Sequence, residues 1–115
     1  MTDFTTQRSL LHDSLGLVEL SGEVDLYTAP RFKEDLVGLI ETGVEAIVVD
    51  LSRVTFIDST ALGVIIGGVK RLRERDGRLV IVAGSRPVVR ILGITGLDKV
   101  LTVFDTREAA LAALQ

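Results

Sequence analysis

An α/β fold built on a mixed sheet is what this sequence of 115 residues predicts. Three observations carry that expectation. Short aliphatic or β-branched runs alternate four times with longer segments of helical periodicity, the rhythm of strand-helix units around a largely parallel sheet. One run, Ala46 to Leu51 (AIVVDL), is apolar almost throughout, as expected of a central strand covered on both faces. Ahead of the first unit, two strand-like segments flank the turn-rich HDSLG, so the chain opens with an antiparallel hairpin. The expected molecule is a single domain over residues 1–115, with about five strands and about four helices.

The hairpin is formed by Phe4 to Leu11 and Leu17 to Leu20. After the turn-rich SGEVDLYTAP comes a helix over Arg31 to Glu41, where Phe32, Leu36, Leu39 and Ile40 recur at helical spacing. Pro30 suits its first turn, where the missing N–H would have no partner, and Gly43 marks its end. Ala46 to Leu51 then leads to a helix over Ser59 to Arg75, with Leu62, Ile65, Ile66, Val69 and Leu72 as one apolar stripe. Gly63 and Gly67, one turn apart, would let this helix lie close to a neighbouring element or a partner; that closeness offsets the cost of about 1 kcal/mol per mid-helix glycine. Leu79 to Ala83 precedes a helix over Arg86 to Leu92, capped by Ser85 and with Pro87 in its first turn. Val100 to Phe104 precedes a helix over Thr106 to Leu114, where Asp105 and Glu108 have the spacing of a capping box.

Composition narrows the function classes. A hydrophobic fraction of 47%, a charged fraction of 25% and a formal net charge of −3 describe an ordinary globular protein and give no reason to expect direct nucleic-acid binding. The absence of cysteine excludes disulfides and thiolate chemistry. The longest uncharged run, Ser59 to Val69, is far shorter than the ~20 residues of a membrane span. No basic segment followed by an apolar one marks a secretory signal, so a cytoplasmic location is the expectation.

Groups for catalysis are scarce. His12 is the only histidine and belongs to the hairpin turn, so neither a Ser-His-Asp triad nor a zinc site has support, and no cofactor, metal or enzymatic activity is expected. Gly63 and Gly68 have the first spacing of a phosphate-binding loop, but Val69 and Lys70 follow and the run is helical. Asp50 at a strand end has the position of a receiver-domain phosphoaspartate; the acidic pair and the lysine that such domains need are missing. Lys70, Arg71, Arg73, Arg75 and Arg78 read mainly as a solvated helix end favoured by the macrodipole, with a rim for an acidic partner as the lesser reading.

Asp58, Ser59 and Thr60 remain. Asp58 or Ser59 caps the following helix, and Ser59 is also a candidate phosphorylation site, because a helix N-terminus tolerates added negative charge. Both roles are compatible.

These residues also carry a resemblance. VVDLSRVTFIDSTALGVIIGGVKRLRERDGRLVIV resembles the central block of the STAS family, and in particular the bacterial anti-sigma factor antagonists, with their F-[ILM]-D-S-[ST]-G-L-G-V pattern. GEVDLYTAP and ILGITGLDKVLTVFDTREAALAAL resemble two further segments of that family, so the likeness covers nearly the full chain. Ala61 departs from the family's usual glycine, which places a methyl group beside Ser59 and bears on partner fit. The resemblance implies a switch: an unphosphorylated antagonist binds an anti-sigma factor that is also a GHKL-type serine kinase, and so frees a sigma factor. Phosphorylation of Ser59 ends the binding, and a PP2C-type phosphatase resets it. The implied partner-binding residues are Asp25, Asp58, Ser59, Thr60, Ala61 and Gly63, with Asp25 in a loop that has no core role. The alternative is a STAS subunit of a transporter or of a lipid-trafficking assembly with an ATP-binding-cassette partner. Dimerisation is left open.

Overall fold

A computed structural model describes Asp3 to Leu114. Five strands lie side by side in chain order: β1 (Thr5–His12), β2 (Leu15–Val24), β3 (Ala46–Ile57), β4 (Arg78–Val82) and β5 (Thr102–Phe104). β1 and β2 form the expected antiparallel hairpin, and every other pairing is parallel. Among the described residues, three α-helices connect the strands, α1 (Ala29–Glu41), α2 (Ser59–Arg73) and α3 (Arg86–Ile94), and a fourth, α4 (Arg107–Ala113), follows β5. None is long and apolar enough to cross a membrane.

The period-two alternation of strands divides the apolar residues between the two faces of the sheet. Val18, Leu20, Ile47, Val49, Leu51, Leu79 and Ile81 share one cluster with the buried stripes of α1, α2 and α3. Leu15, Leu17, Val48, Val80 and Val82 face the other way, against Ala110 of α4. The near-continuous apolar runs therefore reflect central strands covered on both sides.

β3 is twice as long as expected, and its register explains why. From Glu19↔Asp50 to Ser21↔Arg53, β2 advances two residues and β3 three; from Gly22↔Val54 to Glu23↔Phe56, β2 advances one and β3 two. Each extra residue is a bulge that shifts which side chains face the core. Beyond Leu51 the buried positions become Val54 and Ile57, a period of three, so the alternation that signals a strand disappears although the pairing continues. β2 likewise continues through Ser-Gly, which reads as a turn: Gly22 adopts φ +84°, and a Cβ there would lie 2.4 Å from the Asp3 carbonyl oxygen.

Within the fold, the glycine at which α2 packs closely on a neighbouring element is Gly68, not Gly63 or Gly67. A Cβ on Gly68 would lie 2.8 Å from Leu36 Cδ2 and 3.1 Å from Leu79 Cδ1, whereas one on Gly63 or Gly67 would meet nothing within 4 Å. The reason is rotational: Ala61, Ile65, Gly68 and Leu72 face inward, which turns Gly63 and Gly67 away from the sheet. Two caps also differ. Thr106, not Asp105, caps α4 by accepting from Ala109 N at 3.1 Å, so no Asp105–Glu108 capping box forms. Ser85 donates to Val54 O at 2.9 Å instead of capping α3, tying that helix to the bulged part of β3.

On the α4 side, Asp50 is nearly buried, with 6% of its surface exposed, and is locked into a structural network. Its Oδ1 accepts from the backbone N–H and hydroxyl of Ser52, and its Oδ2 accepts from Arg107 Nε at 2.9 Å. Arg107 Nη2 also donates to Glu19 Oε2 at 2.6 Å, so one guanidinium on α4 clamps β2 and β3. Burial pushes the Asp50 carboxyl up, but the hydrogen bonds from Ser52 and Arg107 together outweigh it and hold the group below the usual carboxylate range.

Two predictions follow from the packing. Gly67→Ala should raise the melting temperature, by up to about 1 kcal/mol of added stability, while Gly68→Val should lower it by overpacking against Leu36 and Leu79. Arg107→Leu should cost about 1–2 kcal/mol near neutral pH, since it strips a nearly buried carboxylate of its cation. A depressed folded-state pKa stabilises above the ordinary carboxylate range and ceases to do so as the pH falls through the folded value. The gap between wild type and Arg107→Leu in denaturant melts should therefore narrow in strong acid.

Candidate functional site

The parallel strands β2 and β3 end together, with Val24 paired to Ile57 and Asp58 N donating to Val24 O at 3.1 Å. That pairing brings the Asp25 turn and the Asp58-Ser59-Thr60 start of α2 to one end of the sheet. Ligand and partner surfaces of open parallel sheets commonly lie at this carboxyl end.

Asp58 is the N-cap of α2. Its backbone is extended, at φ −111° and ψ −176°, and Oδ1 accepts from Thr60 N at 2.9 Å and Ala61 N at 3.1 Å. The carboxylate thus satisfies two N–H groups that the helix start leaves without partners. Ser59, the first helical residue, is exposed and takes no part in the cap; Thr60 is exposed beside it. A phosphate on the Ser59 hydroxyl would stand at the positive end of a helix of 15 residues.

Asp25 has a structural role that the sequence does not reveal. Its Oδ1 accepts from Tyr27 N at 2.9 Å and Thr28 N at 3.1 Å, and its carbonyl accepts from Ala29 N at 2.8 Å. Thr28 Oγ1 closes the turn, accepting from Asp25 N and donating to Glu23 O, both at 2.9 Å. In this loop a carboxylate and a hydroxyl replace the hydrogen bonds that a strand and a helix leave unmade. Asp25 does lie in a loop and outside the core, but its carboxylate holds that loop together, so its removal is not neutral for stability.

Ala61 is corrected as well: it is 0% exposed and packs in the core, so its side chain is out of reach of a partner. The methyl that replaces the family's usual glycine is absorbed inside the fold. Gly63 is exposed on the outer side of α2, over a groove shared with Ala29, Pro30 and Val64. Asp25, Asp58, Ser59 and Thr60 are brought to one end, with Gly63 a turn further along α2.

The surface around Ser59 includes exposed apolar residues that neither strand nor helix periodicity marks. Tyr27 is 85% exposed and Leu26 61%, both in the Asp25 turn; Phe56, at the end of β3, is 48% exposed. An apolar pair inside the turn-rich SGEVDLYTAP was the available signal, since a turn that only reverses the chain has no use for exposed large side chains. The basic residues Lys70 to Arg78 lie at the other end of α2, where Arg75 Nη2 donates to Val44 O at 2.8 Å.

Because both carboxylates serve as backbone acceptors, Asp58→Ala and Asp25→Ala should each lower stability by about 1 kcal/mol in denaturant melts. Ser59→Ala, which removes no cap, should leave the midpoint nearly unchanged.

Comparison with known proteins places this geometry. The family model described as STAS domain matches residues 9–110. An anti-sigma-B factor antagonist of Staphylococcus epidermidis is 35% identical over 100 residues, covering 87% of this chain and 93% of that protein. The anti-sigma-B factor antagonist of Listeria monocytogenes is 40% identical over 85 residues, covering 73% of this chain and 74% of its own. The crystal structure of an anti-sigma factor antagonist from Mycobacterium paratuberculosis superposes with a TM-score of 0.87 at 32% identity, covering 96% of this chain and 93% of that one. With its sheet order, its opening hairpin and its matched sequence, the chain belongs to the STAS domain family.

Proposed function

We propose that this protein is an anti-sigma factor antagonist that works as a phosphorylation switch. In its unphosphorylated form it binds an anti-sigma factor and so releases a sigma factor. The observation that carries this reading is the division of labour at the start of α2, where Asp58 supplies the cap and the adjacent Ser59 hydroxyl stays exposed. The antagonist names of the relatives described above favour it over a transporter or lipid-trafficking subunit.

The anti-sigma factor is a GHKL-type serine kinase that phosphorylates Ser59, and a PP2C-type phosphatase removes the phosphate. The protein acts by binding, without catalysis of its own, in the cytoplasm. Phosphate adds about −1.5 to −2 charges at neutral pH. Within the free chain that charge meets the positive end of α2. In a closely packed complex it must give up water against the partner's surface, where its repulsion from the adjacent Asp58 carboxylate is no longer screened by solvent. A difference of about 2.8 kcal/mol between the two settings lowers affinity about a hundredfold. Asp25, Asp58, Thr60 and Gly63 contribute to the surface on which the partner rests.

A pull-down from lysate of the native organism, with wild type and Ser59→Asp as baits, tests this. A GHKL-type kinase captured by wild type and lost with Ser59→Asp is the expected result, and the captured kinase with ATP should phosphorylate wild type but not Ser59→Ala. Capture of the same proteins by both baits, or recovery of an ATP-binding-cassette subunit instead, would contradict it.

A further inference from the structure

We infer that a second element of recognition lies beside Ser59: a groove between α3 and the end of β3 that receives an acidic, apolar-faced segment of the anti-sigma factor. This inference rests on the proposed antagonist function and adds the chemistry of the partner to it.

The groove encloses about 790 Å³ and is lined by Phe56 on β3 and by Arg86, Val89, Arg90 and Ile94 on α3, among others. Two properties distinguish it. First, α3 is apolar on both sides. Val88 and Leu92 face the sheet and are 0% and 1% exposed, which is all that the fold requires of a short helix. Val89 and Ile94, 48% and 70% exposed, point away from that core and together with Phe56 form an outward apolar strip. Exposed apolar surface edged by polar groups marks a contact site. Second, the groove is cationic in a chain whose formal net charge is −3. Its lining includes Arg86 and Arg90 and no acidic residue, and among the described residues neither arginine is in an ion pair. Charge complementarity therefore selects a segment with aspartates or glutamates flanking apolar side chains.

Position links the groove to the switch. Phe56 and Ile57, which line the groove, lead directly into Asp58 and Ser59, and Ser85, next to Arg86, is hydrogen-bonded to Val54 O at 2.9 Å, so the groove begins one residue before the α2 cap. A partner resting on Ser59 extends onto it. An acidic segment held there would stand close to Ser59, and phosphate would then repel the partner's own carboxylates in addition to Asp58's effect. The basic cluster from Lys70 to Arg78 has no such position, being at the far end of α2.

The test is titration calorimetry of the purified chain with the purified anti-sigma factor kinase at low and high salt. Arg86→Glu/Arg90→Glu should weaken binding about tenfold or more and remove most of its salt dependence. Ile94→Ser should weaken it several-fold. Lys70→Glu/Arg73→Glu, with the same charge change at the other end, should stay within about twofold of wild type. All these positions are exposed, and a melting curve for each variant verifies folding. Ser59→Asp should cost less in the arginine variant than in wild type, because both changes act on the same segment. Wild-type affinity in the arginine variant, or equal losses in both charge-reversal variants, would overturn the inference while leaving the antagonist function intact. Failure of wild type itself to bind the kinase would overturn both. A change in self-association of the chain alone, without a change in kinase binding, would assign the groove to a second copy and also overturn the inference.

Discussion

The pairing of β2 with β3 is the constraint on which the rest of the structure depends. It runs from Leu15↔Ala46 to Val24↔Ile57, and the two extra residues in β3 are accommodated along the way without ending the ladder. Had β3 stopped at Leu51, where the apolar run ends, Asp58 would belong to a loop not held beside Val24. Instead the strand carries it to the end of the sheet, where Asp58 N closes the pairing on Val24 O and α2 begins. The Asp25 turn starts at the same point from the other strand. Two chain segments distant in sequence thus present their carboxylates and the Ser59 hydroxyl on one hydrogen-bonded edge.

That edge is held by unlike means on its two sides. Helices α1, α2 and α3 cover one face of the sheet by apolar burial, while on the other face α4 combines a smaller apolar cluster around Ala110 with the pairing of Arg107 to Asp50 and Glu19. At the edge itself, Asp25 and Asp58 are both spent on backbone N–H groups at the starts of helices. This arrangement suits a switch. The local backbone is fixed by groups other than Ser59, so a change of charge at Ser59 has no cap to break, and its effect falls on whatever is bound outside.

Much of this was legible in the sequence. The periodicities of Phe32, Leu36, Leu39 and Ile40 in α1 and of Leu62, Ile65, Val69 and Leu72 in α2 give helices at the right places because each buries one face only. The DSTALG stretch announced a helix start with a small polar residue left over. What was not legible depends on contacts between distant segments. The bulges of β3 erase the alternation that would extend the strand past Leu51. Gly68, and not Gly63 or Gly67, faces Leu36 because of the rotation of α2, which glycine spacing does not specify. The burial of Ala61 follows from the same rotation, and the bonds of Asp25 depend on a turn geometry that composition does not encode. Asp105 and Glu108 have capping-box spacing, yet Thr106 takes the cap, one residue later.

On this reading, charge at Ser59 is tolerated by the fold and rejected by the complex. This is tested most directly by installing phosphoserine at position 59 of the intact chain and measuring, on the same sample, its melting temperature and its affinity for the purified anti-sigma factor. A melting temperature within a few degrees of the unphosphorylated chain, together with an affinity about a hundredfold lower, is the expected result. An unchanged affinity would contradict it. So would a loss of affinity that merely tracks unfolding of the modified chain.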